Sequence, residues 1–167
     1  KPSKGSILRG RTIPEVGGDT SFANTAEAYN RLDPKIKDRV DSLYAIHDFS
    51  KTFGRNMSAE EREEKQREYP PARHPVIRTH PETGERGIYT NKPFVSHIEG
   101  IAKEDSEYLL ASLHHAIQSP SVQCRIKREV DTVVMWDNRI VQHQASNDFY
   151  PQNRHVERVT IIGTRPV

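Results

Sequence analysis

Three side chains in the final part of the chain are suited to binding a metal ion and an anion. His143 follows a strand-like run at 131–137, where it would face a cavity in a β barrel. Arg154 and Arg158 lie four residues apart in a segment rich in β-branched residues. Imidazole is a common metal ligand, and guanidinium groups bind carboxylate or sulfonate oxygens in pairs. The pattern therefore predicts a metal and an acid held side by side.

The two arginines would share one face of a strand, because side chains alternate along extended chain. Val156, Thr160 and Ile162 make that face apolar enough to point inward, and buried arginines need anionic partners. The partner is either a bound acid or one of the chain's own acids, and the spacing favours neither. The internal candidates are Asp137, Asp148 and Glu157.

A second feature is the Gly-Gly-Asp-Thr sequence at 17–20, which predicts a tight turn whose glycines take positive φ. The Thr20 hydroxyl would be placed to donate a hydrogen bond to an anion. An ordinary turn without a ligand remains the simpler interpretation of these four residues alone.

The composition of the 167 residues predicts one domain with a modest core, since 34% of residues are hydrophobic and 29% are charged. The net charge is +2 and both signs are mixed along the chain, so no nucleic-acid footprint is expected. No apolar run approaches the roughly 20 residues that span a membrane. The single cysteine, Cys124, excludes an intrachain disulfide and is expected to be buried and inert. A cytoplasmic location is expected.

The elements that would position these residues are mainly strands, with helices inserted at about 24–70 and a long amphipathic helix at 103–118. Within the insertion, helices are predicted at 26–32, from 34 to about 43, and after the capping box that opens at Ser58, with a loop at 47–53. Strands are predicted at 5–13, 75–79, 87–90, 122–127, 132–136 and 155–162, with the strand at 132–136 buried on both faces. The pattern is typical of a distorted jelly roll.

Four blocks together resemble the taurine dioxygenase family, whose members are Fe(II)- and 2-oxoglutarate-dependent oxygenases. They are Gly-Gly-Asp-Thr at 17–20, Pro-Val-Ile-Arg-Thr-His-Pro at 75–81, Trp-Asp-Asn-Arg-Ile-Val-Gln-His at 136–143 and Arg-His-Val-Glu-Arg-Val-Thr at 154–160. Their order and spacing match the family over essentially the entire chain. The resemblance implies a double-stranded β-helix, incomplete at its N-terminus, that holds iron with two histidines and one carboxylate.

The resemblance also assigns roles to individual residues. His143 would be the distal histidine ligand of iron, and Thr20 and Arg154 would bind 2-oxoglutarate, with Arg154 as the main salt bridge to the carboxylate remote from iron. Arg158 would face the sulfonate of a taurine-like substrate and help to steady the cosubstrate. The remaining substrate contacts would be Thr52, Phe53 and Phe94.

The chain departs from the family pattern at the other two iron ligands. The family takes them from a His-x-Asp motif that precedes the turn, and no His-x-Asp occurs in the 167 residues. The pair His97 and Glu99 is a weak substitute, and the other histidines are expected to be structural or solvent-facing. We therefore expect an N-terminally truncated copy of the family, with little activity by itself.

Two classes of function remain open from the sequence. The first is a dioxygenase that hydroxylates a small sulfonate such as taurine, releasing sulfite, or a related organosulfur acid. The second is a non-catalytic jelly-roll module that binds anions or assembles with other proteins and holds no iron. The partners expected are a small anionic organosulfur substrate and, since family members are often dimers or tetramers, a second copy of the chain.

Overall fold

A computed structural model describes residues 2–167, apart from the side chain of Arg55. Strands form most of the regular structure outside the region of helices α1 to α4. The strands are β1 (Ser3–Thr12), β2 (Thr20–Asn24), β3 (Tyr44–His47), β4 (Ala72–Pro75), β5 (Ile77–Thr79), β6 (Arg86–Ile88), β7 (Val95–Ile98), β8 (Gln123–Ile126), β9 (Val133–Asp137), β10 (Val141–Ala145) and β11 (His155–Ile162). The helices are α1 (Thr25–Asn30), α2 (Pro34–Val40), α3 (Ser50–Phe53), α4 (Ala59–Glu68) and α5 (Lys103–Gln118).

Two antiparallel sheets position the residues of interest. One sheet has the order β11-β1-β9, and the other has the order β10-β2-β8. The small cluster of Leu8, Phe22 and Trp136 joins them, with one buried side chain from each of β1, β2 and β9. A third sheet, β4-β3-β7, and the pair β5-β6 lie with α1 and α5 around the larger core.

Helix α5 packs on the larger core through the stripe that its sequence predicts. Leu109, Leu113 and Ile117 are buried at helical spacing, and the helix begins and ends at the predicted residues. Helix α4 begins with the predicted capping box, in which Ser58 and Glu61 bond each other's backbone N–H groups. Residues 2–167 contain no helix with the length and apolar character to cross a membrane.

Three local features differ from the sequence-based expectations. Strand β3 was not predicted; it lies within the stretch at 24–70 and pairs with β4 and β7. The segment at 47–53 is not a loop, since helix α3 begins at Ser50, where the Asp48 carboxylate accepts the backbone N–H of Ser50. Cys124 is exposed rather than buried, because it lies on β8 at an edge of its sheet.

Strand β9 is buried on one face only, contrary to the prediction that both faces are covered. Trp136 packs in the small cluster and Val134 contacts it, while Val133 and Met135 are exposed. Neighbouring side chains point to opposite faces of the sheet, and the structure covers only one of them. The same strand leads directly to the turn that places His143.

Candidate active site

The turn at 17–20 is built on two glycines in the left-handed region. Gly17 has φ +79° and Gly18 has φ +70°, as the sequence predicts. The Asp148 carboxylate accepts the N–H of Gly18 at 2.8 Å, and the Asp19 carboxylate accepts Arg125 Nε at 2.8 Å. These contacts hold the turn in place and lead the chain into β2 at Thr20.

Thr20 is 3% exposed, and its hydroxyl oxygen accepts a hydrogen bond from Nη2 of Arg128. Arg128 belongs to none of the motifs recognised in the sequence. It lies two residues beyond β8 and is also 3% exposed, and within residues 2–167 its Nε and Nη1 atoms have no hydrogen-bond partner. Burial lowers the pKa of the Arg128 guanidinium, and the charge of Arg154 lowers it further.

Arg154 lies immediately before β11, half-buried, and its Nε donates to the carbonyl oxygen of Gly18 at 2.9 Å. Within the described residues, no carboxylate forms a salt bridge with Arg154. The internal acids that competed for this role bind other cations instead. Asp137 accepts from Arg139 at 2.9 Å, Asp148 from Arg125 at 3.2 Å, and Glu157 lies 3.4 Å from Arg11.

His143 lies on β10, opposite Phe22 of β2 in the sheet register. Its ring centroid is 4.7 Å from that of Trp136 and 6.2 Å from that of Phe22. His143 is exposed over part of its side chain, and partial desolvation of its ring lowers its pKa, with the positive charges of Arg158 and Arg128 lowering it further. The environment therefore favours the neutral imidazole, which is the form that binds metals.

The Trp-Asp-Asn-Arg sequence forms the turn between β9 and β10 and so places His143. The Trp136 indole donates to the Asn138 side chain at 2.7 Å, and Asn138 donates to Ser6 on β1 at 2.9 Å. Burial raises the pKa of the Asp137 carboxyl, but hydrogen bonds from Arg139 and from His80 outweigh it and hold the pKa far below its usual range. The motif therefore acts through hydrogen bonds that fix the turn.

Arg158 lies on β11 opposite Leu8 of β1 and is exposed. The prediction of one inward face that holds both arginines is therefore wrong, since Thr160 and Ile162 are exposed as well. Only the beginning of β11 packs on the small cluster, through Val156, and none of the described residues buries the rest of that face. Arg158 is nevertheless close enough to His143 for its positive charge to lower the pKa of that imidazole.

The predicted substrate residues lie on neighbouring segments. The Thr52 hydroxyl donates to the carbonyl oxygen of Pro93 at 2.5 Å, and the Phe53 ring lies 5.9 Å from the Phe94 ring. Phe94 and His143 line the same cavity of 710 Å³, together with the half-buried His114 of α5. Thr52 and Phe53 are outside the lining of that cavity.

A complete metal site is not found among the described residues, which contain no group of three His, Cys, Asp or Glu side chains able to hold an ion. His97 is exposed and Glu99 is bonded to Arg73 at 2.6 Å, so this pair does not replace the absent motif. One imidazole does not fit a three-ligand iron centre. The buried, unpaired nitrogens of Arg128 do fit an acid such as 2-oxoglutarate.

Comparison of the chain with models of known protein families identifies the family to which it belongs. Residues 1–160 match the family model described as "Taurine catabolism dioxygenase TauD, TfdA family". The chain belongs to this family.

Individual relatives agree with the family match. An alkylsulfatase from Acinetobacter baylyi is 36% identical over 165 residues, which cover 95% of this chain and 52% of the relative. An alpha-ketoglutarate-dependent sulfonate dioxygenase from Saccharomyces cerevisiae is 37% identical, over 97% of this chain and 39% of the relative. The crystal structure of a taurine dioxygenase from Burkholderia xenovorans is 36% identical with a TM-score of 0.84, over 99% of this chain and 54% of the other.

These matches confirm the predicted fold class, a jelly roll of mainly β structure with inserted helices. They also confirm the predicted membership of the taurine dioxygenase family. The chain spans about half the length, or less, of the curated relatives that it matches.

Proposed function

We propose that the chain carries the cosubstrate-binding part of an Fe(II)- and 2-oxoglutarate-dependent dioxygenase. In this proposal Thr20 and Arg154 bind the carboxylate of 2-oxoglutarate remote from iron, and His143 is one iron ligand. Fe(II) with 2-oxoglutarate and dioxygen supplies the oxidising chemistry of such enzymes. The described residues would bind and orient the cosubstrate and keep the His143 imidazole neutral.

The observation that carries this proposal is the contact of Arg154 with Gly18. The Nε hydrogen of Arg154 is used by the carbonyl oxygen of the turn, which fixes the direction of the guanidinium group. The rest of that group meets no carboxylate among residues 2–167, and the Thr20 hydroxyl belongs to the same turn. A fixed guanidinium that no described carboxylate neutralises, held on the same turn that carries a buried hydroxyl, supports binding of a carboxylate.

The substrate proposed is a small sulfonate such as taurine, with a sulfate ester or a related organosulfur acid as the nearest alternative. The names of the two curated relatives, an alkylsulfatase and a sulfonate dioxygenase, support this class of compound. Arg158 is assigned to the sulfonate, and Thr52, Phe53 and Phe94 are assigned to the organic part. Hydroxylation of the carbon beside the sulfonate would give an unstable adduct that releases sulfite and an aldehyde.

Two measurements on the 167-residue chain test the proposal. Calorimetric titration with 2-oxoglutarate should give saturable binding. Incubation with Fe(II), 2-oxoglutarate and taurine or an alkyl sulfate should give little succinate, because the described residues offer one ligand for iron. Absence of 2-oxoglutarate binding would contradict the cosubstrate assignment, and robust succinate formation would contradict the assignment of a single ligand.

One observation favours a second function, an anion-binding module without iron. The described residues have guanidinium groups free for an anion but no set of three metal-binding side chains. Such a module would bind sulfate or glutarate as tightly as 2-oxoglutarate, with or without metal. In a protein with a complete iron site, a dioxygenase should bind 2-oxoglutarate more tightly than glutarate or sulfate, and added Fe(II) should strengthen that preference, because the keto acid would chelate the ion.

A further inference from the structure

Arg128 is a buried cation that the fold does not neutralise. Its side chain is 3% exposed, two of its three nitrogens have no partner within residues 2–167, and no described carboxylate forms a salt bridge with it. The acid that acts on it electrostatically is Asp19, which is already bonded to Arg125 at 2.8 Å. Burying a charge without a partner is unfavourable, so this arrangement is costly unless an anion completes it.

The neighbours of Arg128 identify the place where that anion would lie. Its Nη2 donates to the Thr20 hydroxyl, and the charge of Arg154 acts on the same guanidinium group. Arg128 contacts the turn at 17–20 through Thr20, and Arg154 contacts it through Gly18, so two guanidinium groups that no described carboxylate neutralises both lie against this turn. Like charges brought together in a buried region repel each other, and a carboxylate between them would turn that repulsion into attraction.

The contact between Arg128 and Thr20 also sets the direction of the threonine hydroxyl. A hydroxyl has one donor hydrogen and can accept two hydrogen bonds. Because the Thr20 oxygen accepts from Arg128, its own hydrogen must point elsewhere. An oxygen of a bound carboxylate would receive it.

We propose that Arg128 is a cosubstrate-binding residue that, with Arg154 and Thr20, encloses the remote carboxylate of 2-oxoglutarate. This inference rests on the proposed function and adds a second guanidinium group to the cosubstrate site. Arg128 contributes its own hydrogen bonds to the carboxylate and orients the Thr20 hydroxyl as a donor. The site would therefore present more positive charge to a single carboxylate than the sequence resemblance implies.

The test compares Arg128→Met, Arg128→Lys and Arg154→Ala with the unchanged chain, by calorimetric titration with 2-oxoglutarate. Arg39→Gln is the matched control, because Arg39 is an exposed arginine on α2 that pairs with Asp105. Arg128→Met should weaken binding by roughly 10- to 100-fold, as expected for loss of charged hydrogen bonds. Arg128→Lys should recover part of the loss, and Arg39→Gln should bind as the unchanged chain does.

Thermal unfolding without ligand separates a binding role from a structural one. Replacing an unpaired buried charge by an apolar side chain is often neutral or stabilising. Arg128→Met should therefore keep or raise the Tm of the ligand-free chain and lose the Tm increase that 2-oxoglutarate produces. A marked fall in the ligand-free Tm would assign Arg128 a structural role and overturn the inference.

The outcomes distinguish the inference from the function on which it rests. If the unchanged chain binds 2-oxoglutarate and Arg154→Ala weakens binding, but Arg128→Met does not, the inference is wrong and the proposed function stands. If the unchanged chain does not bind 2-oxoglutarate, both are wrong.

Discussion

Gly18 and Arg154 are joined by a hydrogen bond, and a side chain at residue 18 would collide with the arginine. The Gly18 carbonyl oxygen accepts Arg154 Nε at 2.9 Å, and a Cβ atom added to Gly18 would lie 3.0 Å from Arg154 Cδ. The same added atom would lie 2.9 Å from Pro14 Cγ. The absence of a side chain at residue 18 therefore lets the arginine lie against the turn.

Gly18→Ala should weaken both stability and 2-oxoglutarate binding. The φ of +70° costs an alanine about 1–2 kcal/mol. The new methyl group would also push Arg154 from its position, and we expect roughly 10-fold weaker binding or more, as for loss of one charged hydrogen bond. Chemical denaturation and calorimetric titration measure the two effects separately.

Gly84→Ala is the matched control for that substitution. Gly84 has φ +75°, and an added Cβ would meet no atom within 4 Å. Gly84→Ala should therefore lose a similar amount of stability and keep its affinity for 2-oxoglutarate. Equal losses of affinity in the two variants would show that backbone strain, rather than the position of Arg154, controls binding.

Arg154→Ala should greatly weaken 2-oxoglutarate binding while leaving the fold intact. The guanidinium group is half-buried, and among the described residues its one hydrogen bond is to Gly18, so its removal costs the fold little. Loss of a salt bridge to the remote carboxylate should reduce affinity by roughly 100-fold. Calorimetry measures the affinity, and circular dichroism checks the fold. Unchanged affinity would count against the assignment of this arginine.

Arg158→Ala should affect substrate binding more than cosubstrate binding. Arg158 is exposed on β11 and is not bonded to the turn at 17–20, whereas Arg154 is. In a protein with a complete iron site, the KM for taurine or an alkyl sulfate should rise by roughly 10-fold, and the KM for 2-oxoglutarate should change much less. Steady-state kinetics with each compound varied in turn measures the difference. Equal increases would mean that the roles of the two arginines are misassigned.

The stability of the fold should decrease as the pH falls from about 6.5 to about 4. Burial, assisted by the neighbouring His74, lowers the pKa of His47 to about 4. Burial, assisted by Lys92 and Lys51, lowers the pKa of His114 to about 4. In the unfolded chain both histidines titrate near 6.5, so over this range the unfolded state binds protons that the folded state does not.

Urea denaturation at several pH values measures that decrease. The double variant His47→Gln and His114→Gln should show a smaller loss of stability between pH 6.5 and pH 4 than the unchanged chain. His97→Gln, at an exposed position on β7, controls for the substitution itself. If the double variant and the unchanged chain lose the same stability over this pH range, these two histidines are not the cause of the decrease.

The elements with strong local signals were predictable from the sequence. Helix α5 has a complete apolar stripe, helix α4 has its capping box, and β11 is rich in β-branched residues, and each was placed at or near its observed bounds. Strand β3 and helix α3 were missed, because each has four residues, and because β3 is formed by pairing with the distant strands β4 and β7.

Arg128 shows what the sequence alone could not supply. It lies in a run of charged residues that is typical of a solvated surface, and no motif marks it. Its burial depends on the pairing of β8 with β2, which brings Ile126 opposite Thr20. The one sequence signal for its burial was the alternation of side chains along a strand: Arg128 follows Ile126 by two residues and so shares its face. By contrast, His143 and Arg154 lie within blocks that resemble the family, which is why the sequence singled them out.

Strand β1 pairs with β11, from Ser3 opposite Ile162 to Thr12 opposite His155, so β1 leaves the ribosome before its partner has been synthesised. Until then its edge presents free backbone groups to any extended segment that it meets, including those of other nascent chains. Contacts between such distant residues also form slowly. A polypeptide that ends before β11 would leave β1 with only one of its two partners, β9, and one edge of its sheet exposed.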